Sequence, residues 1–407
     1  MIRCFAALLL GALAVPSAFA QRAGDRNEEE RAAPMIGEQT GRILNEAIEL
    51  LNMDDYAGAR AALQDLRIDR LSPYERSRVE QILSNLDYAE EKYDSAREHL
   101  RLALESGGLN EQEASQVRFQ IAQLFVAEER WAEAAESLEE WFATAQNPNS
   151  AAYYLLAVSY YQLNDLDRAF PAAQKAVELA DQPQASWVEL LVAIYIDRDE
   201  YEEALPYVER LVELQPKNKQ HWLRLSSFYQ EVERFGDALA SIQIPYNAGM
   251  LSEDSEYMRL ADLLMFNEIP YRAATVLEKG LEEGVVNEDA DAYEKLANSW
   301  IAARDFDRAI PPLERAAQLS DDGDLYVRLA EVHVQREDWQ AAAAALENGL
   351  EKGGLSDEGD AQILMGVALY SDGRPQEALE WFQRARRSDA HRDVANQYIK
   401  LIESEAG

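Results

Sequence analysis

A small residue returns along this chain at a nearly fixed step. Ala59, Ala96, Ala134, Ala169, Ala204, Ala238, Ala273, Ala309, Ala342 and Ala378 are 37, 38, 35, 35, 34, 35, 36, 33 and 36 residues apart. Self-similarity at a period near 35 describes a stack of like units, each burying one face against its neighbours. It excludes a layout built around a single central core. It also moves the functional question from an active site to a partner.

Three further series keep the same phase. Twelve residues before the ladder lie Ala47, Ser84, Ala122, Ala157, Val192, Ser226, Ala261, Ala297, Ala330 and Gly366, of which only Val192 is bulky. Three residues after each comes a row of mostly large side chains: Leu50, Asp87, Phe125, Tyr160, Tyr195, Tyr229, Leu264, Trp300, His333 and Leu369. Four residues past the ladder sit Leu63, Leu100, Leu138, Ala173, Val208, Ile242, Leu277, Leu313, Leu346 and Phe382. The unit is clearest over 188–216. There Leu191 and Tyr195 mark a first helix, Asp199 and Glu200 a turn, and Tyr201, Ala204, Leu205 and Val208 one face of a second helix. Small residues at the crossing let two helices approach closely, and larger ones would force them apart.

These phased positions resemble the tetratricopeptide repeat family. The best matches are Trp222-Leu225-Ser226-Tyr229-Ala238, Tyr153-Leu156-Ala157-Tyr160-Ala169 and Tyr293-Leu296-Ala297-Trp300-Ala309. The resemblance implies an all-α, right-handed superhelical solenoid of about ten helix–turn–helix repeats, expected over 39–387. Two units depart from the pattern: Glu46 stands in a leucine slot and Asp87 in the aromatic slot. Ser72 with Glu75, and Asn110 with Glu113, have capping-box spacing, with Ser252, Asn287 and Ser356 in similar positions. Gly107-Gly108, Gly249, Gly284 and Gly353-Gly354 are expected to end second helices in the left-handed conformation. Residues 388–407 are expected to form a capping helix and tail, with Val394, Tyr398, Ile399 and Ile402 covering the last repeat.

The first twenty residues read as a secretory signal. Arg3 precedes an apolar run from Phe5 to Val15, and Ala18-Phe19-Ala20 fits the small-x-small cleavage rule. Residues 21–38 are expected to be a flexible leader. No later segment reaches spanning length, so no integral membrane segment is expected after cleavage. The lone cysteine, Cys4, lies within the signal, which leaves no disulfides for the remainder. Export points to a periplasmic location. With 39 Lys and Arg against 75 Asp and Glu, the net charge is −36, which disfavours nucleic acid and anionic membranes as partners.

No catalytic signature emerges, and neither a metal nor any other cofactor is expected. His99, His221, His333 and His391 fall in separate units with no close metal-ligand spacing. There is no phosphate-cradling glycine motif, and Asp321-Asp322-Gly323-Asp324 lacks the twelve-residue calcium loop. Most aromatics occupy repeat slots. The first-helix face that lines the inner groove in such arrays carries Gln81, Asn85, Phe119, Gln123, Tyr154, Val158 and Tyr161. It is expected to hold an extended peptide or a helix of a partner protein. Met258, Asp262, Met265, Phe266 and Glu294 form a second, more acidic candidate. The general layout and the segment 261–284, ADLLMFNEIPYRAATVLEKGLEEG, resemble the periplasmic tetratricopeptide component found beside TonB–ExbB–ExbD systems (TtpC-like). That resemblance implies TonB or ExbD as a partner and a role in iron–siderophore uptake. It supplies no binding residues. The alternative is a factor for envelope assembly, polysaccharide or protein secretion.

Overall fold

Every turn inside a repeat is built the same way, and the sequence did not announce it. Five residues before each ladder alanine, the backbone enters the left-handed region. Asp54, Glu91, Glu129, Asn164, Asp199, Glu233, Glu268, Arg304 and Glu337 do so with φ of 57–59°, and Gly373 with φ of 79°. In each turn the next N–H reaches back five residues to the carbonyl of the large-residue row. Arg130 donates to Phe125 O at 2.9 Å, Asp305 to Trp300 O at 2.9 Å and Arg374 to Leu369 O at 2.9 Å. This closes the first helix with its orphan carbonyls satisfied and starts the second almost at once.

The structure, a computed structural model, describes residues 36–406. The expected signal and most of the expected leader lie outside the described residues. The leader ends earlier than expected, because Glu38 opens the first helix and the Gly37 N–H donates to Glu75 Oε1 at 2.9 Å. Among the described residues there are twenty-one α-helices, one short 3-10 turn at Ile68–Arg70 and no strand.

The chain divides into two units. The first runs to Leu214 and holds α1(Glu38–Asn52), α2(Tyr56–Gln64), α3(Pro73–Ala89), α4(Tyr93–Glu105), α5(Glu111–Ala127), α6(Trp131–Phe142), α7(Ser150–Gln162), α8(Leu166–Glu178), α9(Ala185–Asp197) and α10(Tyr201–Leu214). The second starts at Gln215 and holds α11(Lys219–Glu231), α12(Phe235–Asn247), α13(Asp254–Phe266), α14(Pro270–Glu282), α15(Ala290–Ala302), α16(Phe306–Leu319), α17(Asp324–Gln335), α18(Trp339–Lys352), α19(Glu358–Ser371), α20(Pro375–Ala385) and α21(Arg392–Ala406). Odd-numbered helices up to α19 are first helices, called A below; even-numbered ones are second helices, called B.

All ten ladder alanines are 0% exposed. Their partners in the earlier small series are buried as well, and the Ser226 hydroxyl donates to Ala238 O at 2.8 Å across one such crossing. At Gly366 an added Cβ would lie 2.6 Å from the Phe382 ring, so this crossing takes the smallest residue. Asp87, the departure from the aromatic row, is 1% exposed and pairs with Arg60 at 2.6 Å and with the Ser95 hydroxyl. In the next unit the equivalent Arg97 instead lies 4.6 Å over the ring of Phe125. The residue this arginine position meets in the large-residue row is thus a carboxylate in one unit and an aromatic face in the next, where Arg97 also pairs with Asp94 and Glu128.

Both expected capping boxes form, at Ser72–Glu75 and Asn110–Glu113. The other three caps shift. Glu253, Asp289 and Asp357 are the N-caps of α13, α15 and α19, rather than Ser252, Asn287 and Ser356. The displaced residues have other work: the Asn287 and Ser356 N–H groups donate to Asp254 at 2.8 Å and Asp324 at 2.9 Å, at the start of the preceding A helix. Gly107, Gly249, Gly284, Gly353 and Gly354 take positive φ as expected, but Gly108 does not. It is glycine because a Cβ would sit 2.3 Å from the backbone at Pro73 and Tyr74. At the C-terminus, α21 covers the last pair with Ala395, Ile399 and Ile402, and Tyr398 stacks on Phe382 at 4.6 Å. Val394 is 42% exposed; Ala395, one step round the helix, takes the contact expected of it.

Two outcomes follow. A non-glycine residue in the left-handed region costs about 1–2 kcal/mol. Glu233→Gly therefore raises stability by about 1 kcal/mol and Gly373→Glu lowers it similarly, read from urea midpoints. Glu75 accepts from the backbone N–H groups of Ser72 and Gly37, and these bonds pull its pKa from 4.5 down to about 2. Its stabilisation is complete above pH 4.5 and is lost as pH falls towards about 2. The melting-temperature gap between wild type and Glu75→Gln should be full at neutral pH and should close across that window.

Candidate partner-binding grooves

Three A helices of the first unit and the B helix α4 line a small pocket of about 40 Å³, with residues from α3, α4, α5 and α7. Its floor is apolar: Leu100, Leu124 and Leu155 are all nearly buried by the packing of α4, α5 and α7. Its rim carries Asn85, Gln120 and Gln123, with the half-buried ring of Tyr88 alongside. Burial pushes the Tyr88 phenol above its ordinary pKa, so it stays neutral and able to donate. No charged side chain lines the pocket. The arrangement suits an apolar side chain seated on the floor while amides on the rim bond a peptide backbone.

Of the seven residues expected to form the groove, Asn85 and Gln123 meet in this pocket. The other five do not line it. Phe119 packs 4.7 Å from Trp141 of α6. Tyr154 is 8% exposed, its ring 5.8 Å from Trp187 and its hydroxyl bonded to Ser186. It holds α7 to α9 rather than standing free as an anchor. Tyr161 is half-buried, and burial with the Asp197 carboxylate beside it pushes its pKa up to about 12. Val158 is half-buried on α7. Gln81 accepts from Arg78 at 3.2 Å while its Nε2 is buried with no partner among the described residues. Sequence reasoning passed over Tyr88, Gln120 and Leu155. Carrying the spacing from Gln81 through Asn85 one more step along the same face of α3 reaches Tyr88.

The second unit has a more open pocket of about 500 Å³ between α13 and α15. Met258, Asp262, Met265 and Glu294 line it as expected, joined by Asp291, Lys295 and Asn298. Phe266 stands outside, 61% exposed and 4.0 Å from Phe235. Lys295 pairs with Asp262, and Arg328 of α17 with Glu294 at 3.3 Å. Asp291 is left facing solvent, so the pocket is acidic with a methionine lining. Methionine adapts to irregular apolar partners. Neither pocket combines a nucleophile, a base and an oxyanion donor. Among the described residues, no helix is long and apolar enough to cross a membrane.

Two family models, both described as tetratricopeptide repeat, match the chain, one at residues 119–185 and 327–393 and the other at 189–218. A comparison with curated proteins found no match. Among solved structures, YrrB, described as a TPR protein with an unusual peptide-binding site, is 18% identical with a TM-score of 0.36, over 45% of this chain and 88% of that one. The C-terminal part of a TPR repeat-containing protein from Cytophaga hutchinsonii is 17% identical with a TM-score of 0.40, over 62% and 98%. A tetratricopeptide repeat protein from Parabacteroides merdae is 13% identical with a TM-score of 0.35, over 73% and 100%. The matched segments keep the phase of the alanine ladder, and the helix pairs they cover share one turn geometry with the rest. Over the matched residues the chain carries tetratricopeptide repeats.

Proposed function

We propose that this chain is an exported scaffold that holds a partner protein against the A-helix face of its first unit. The observation that carries the reading is the pocket between α3, α5 and α7, with its leucine floor and its rim of three amides. Its shape is set by helices already locked by the ladder crossings, so binding need order little of the scaffold. The acidic pocket on α13 and α15 offers a second contact to a partner bearing basic and apolar residues. In this reading the chain works in the periplasm, supported by the signal-like residues 1–20. The partner we favour is TonB or ExbD, on the resemblance of segment 261–284 and of the repeat layout to the component found beside those systems.

Crosslinking and affinity capture from envelope extracts test this. Wild-type protein should capture TonB or ExbD. Gln123→Arg, which places a charge over the apolar floor, should cut capture at least tenfold while leaving the circular dichroism spectrum and melting unchanged. Capture unaffected by Gln123→Arg would remove the pocket from the account. Absence of both proteins from every eluate, in cells that express the system, would remove them as partners.

A further inference from the structure

Where the last repeat meets the terminal helix, the fold gathers three metal-ligating groups, two from one helix start and the third 31 residues further along the chain. Asp357 is the N-cap of α19, and its Oδ1 accepts the Asp360 N–H at 3.0 Å. That leaves Oδ2 free to face inward, 3.4 Å from Nε2 of His391. Asp360, in the first turn of α19, places Oδ1 2.9 Å from the same nitrogen. His391 opens α21, and its other ring nitrogen, Nδ1, lies 3.1 Å from the Ser388 hydroxyl. One donor atom from each of Asp357, Asp360 and His391 lies within 4.8 Å of the others.

From this geometry we infer that Asp357, Asp360 and His391 form a binding site for a divalent metal of the zinc class. Two ligands at about 2.1 Å from a tetrahedral zinc are roughly 3.4 Å apart, close to the separations seen here. A donor set of one imidazole and two carboxylates suits zinc; calcium and magnesium prefer oxygen alone. The helix dipole explains why acids stand at the start of α19, but it does not explain an imidazole held against both of them. The side chain is 11% exposed, and its position is fixed from two sides. An added Cβ at Gly359 would lie 2.4 Å from Nδ1, so the ring rests directly on the first turn of α19. The Ser388 contact to Nδ1 is the outer-shell partner that leaves Nε2 as the metal-facing atom. Three protein ligands leave a fourth position for water. The metal would cancel two neighbouring carboxylates in a strongly acidic chain, and it would tie the start of α21 to the start of α19, while the Tyr370 hydroxyl bond to Glu405 at 2.8 Å ties their other ends.

The test uses the full chain, stripped with a chelator, and zinc alone. Asparagine caps helices as well as aspartate, so Asp357→Asn removes a ligand and keeps the cap. Competition against a chromophoric chelator should show one zinc fewer per chain, or at least tenfold weaker binding at one site, in Asp357→Asn and in Asp360→Asn. Zinc should raise the melting temperature of wild type and leave the double variant unchanged. Nitrogen-15 spectra of wild type should show the Nε2 resonance of His391 shifting as zinc is added. An unmoved His391 resonance at saturating zinc, or equal zinc affinity and stoichiometry in wild type and double variant, overturns the assignment.

Discussion

The rest of the structure depends on one crossing: helix A meets helix B at a pair of small residues just after a turn that stores left-handed backbone. The alanine admits the close approach, and the turn five residues earlier sets the direction from which helix B arrives. Both parts are needed. The turn without the small residue would bring two helices into collision, and the small residue without the turn would leave a gap. Nine of the ten left-handed positions carry a residue other than glycine. Their strain is sustained by the turn hydrogen bond and by the fully buried crossing that follows.

This division of labour explains where function is free to vary. The ladder and its companion rows hold one helix to the next and point away from the A-helix surface. In the proposed reading, substituting that surface changes what the chain recognises without disturbing the frame. The two pockets illustrate it. One is neutral, with an apolar floor and amides on its rim; the other is acidic and lined by methionine, on helices of the same geometry.

The sequence made the frame legible because packing imposes a strict period, and small residues at that period have no other common cause. Ser72, Asn110 and five glycines could be read for the same reason: a local hydrogen bond or a positive φ needs particular residues at particular offsets. The left-handed turns were invisible, since Asp, Glu, Asn and Arg occupy them and exposed polar residues look alike. Two of the seven expected groove residues meet in one pocket. Asn85 and Gln123 lie on the face that the repeat phase predicts, but Tyr154 and Phe119 turned to neighbouring aromatics whose reach no spacing rule encodes. The histidine cluster was missed because a search for close spacing cannot see residues brought together by a whole repeat step, as 357–360 and 391 are.

Hydrogen–deuterium exchange on the chain with and without its captured partner tests the central claim most directly. The account predicts new protection confined to the A helices of the first unit, centred on 81–88, 119–127 and 154–158, with the B helices unchanged. Protection that appears instead on α4, α6 and α8, with α3, α5 and α7 unaltered, would contradict it.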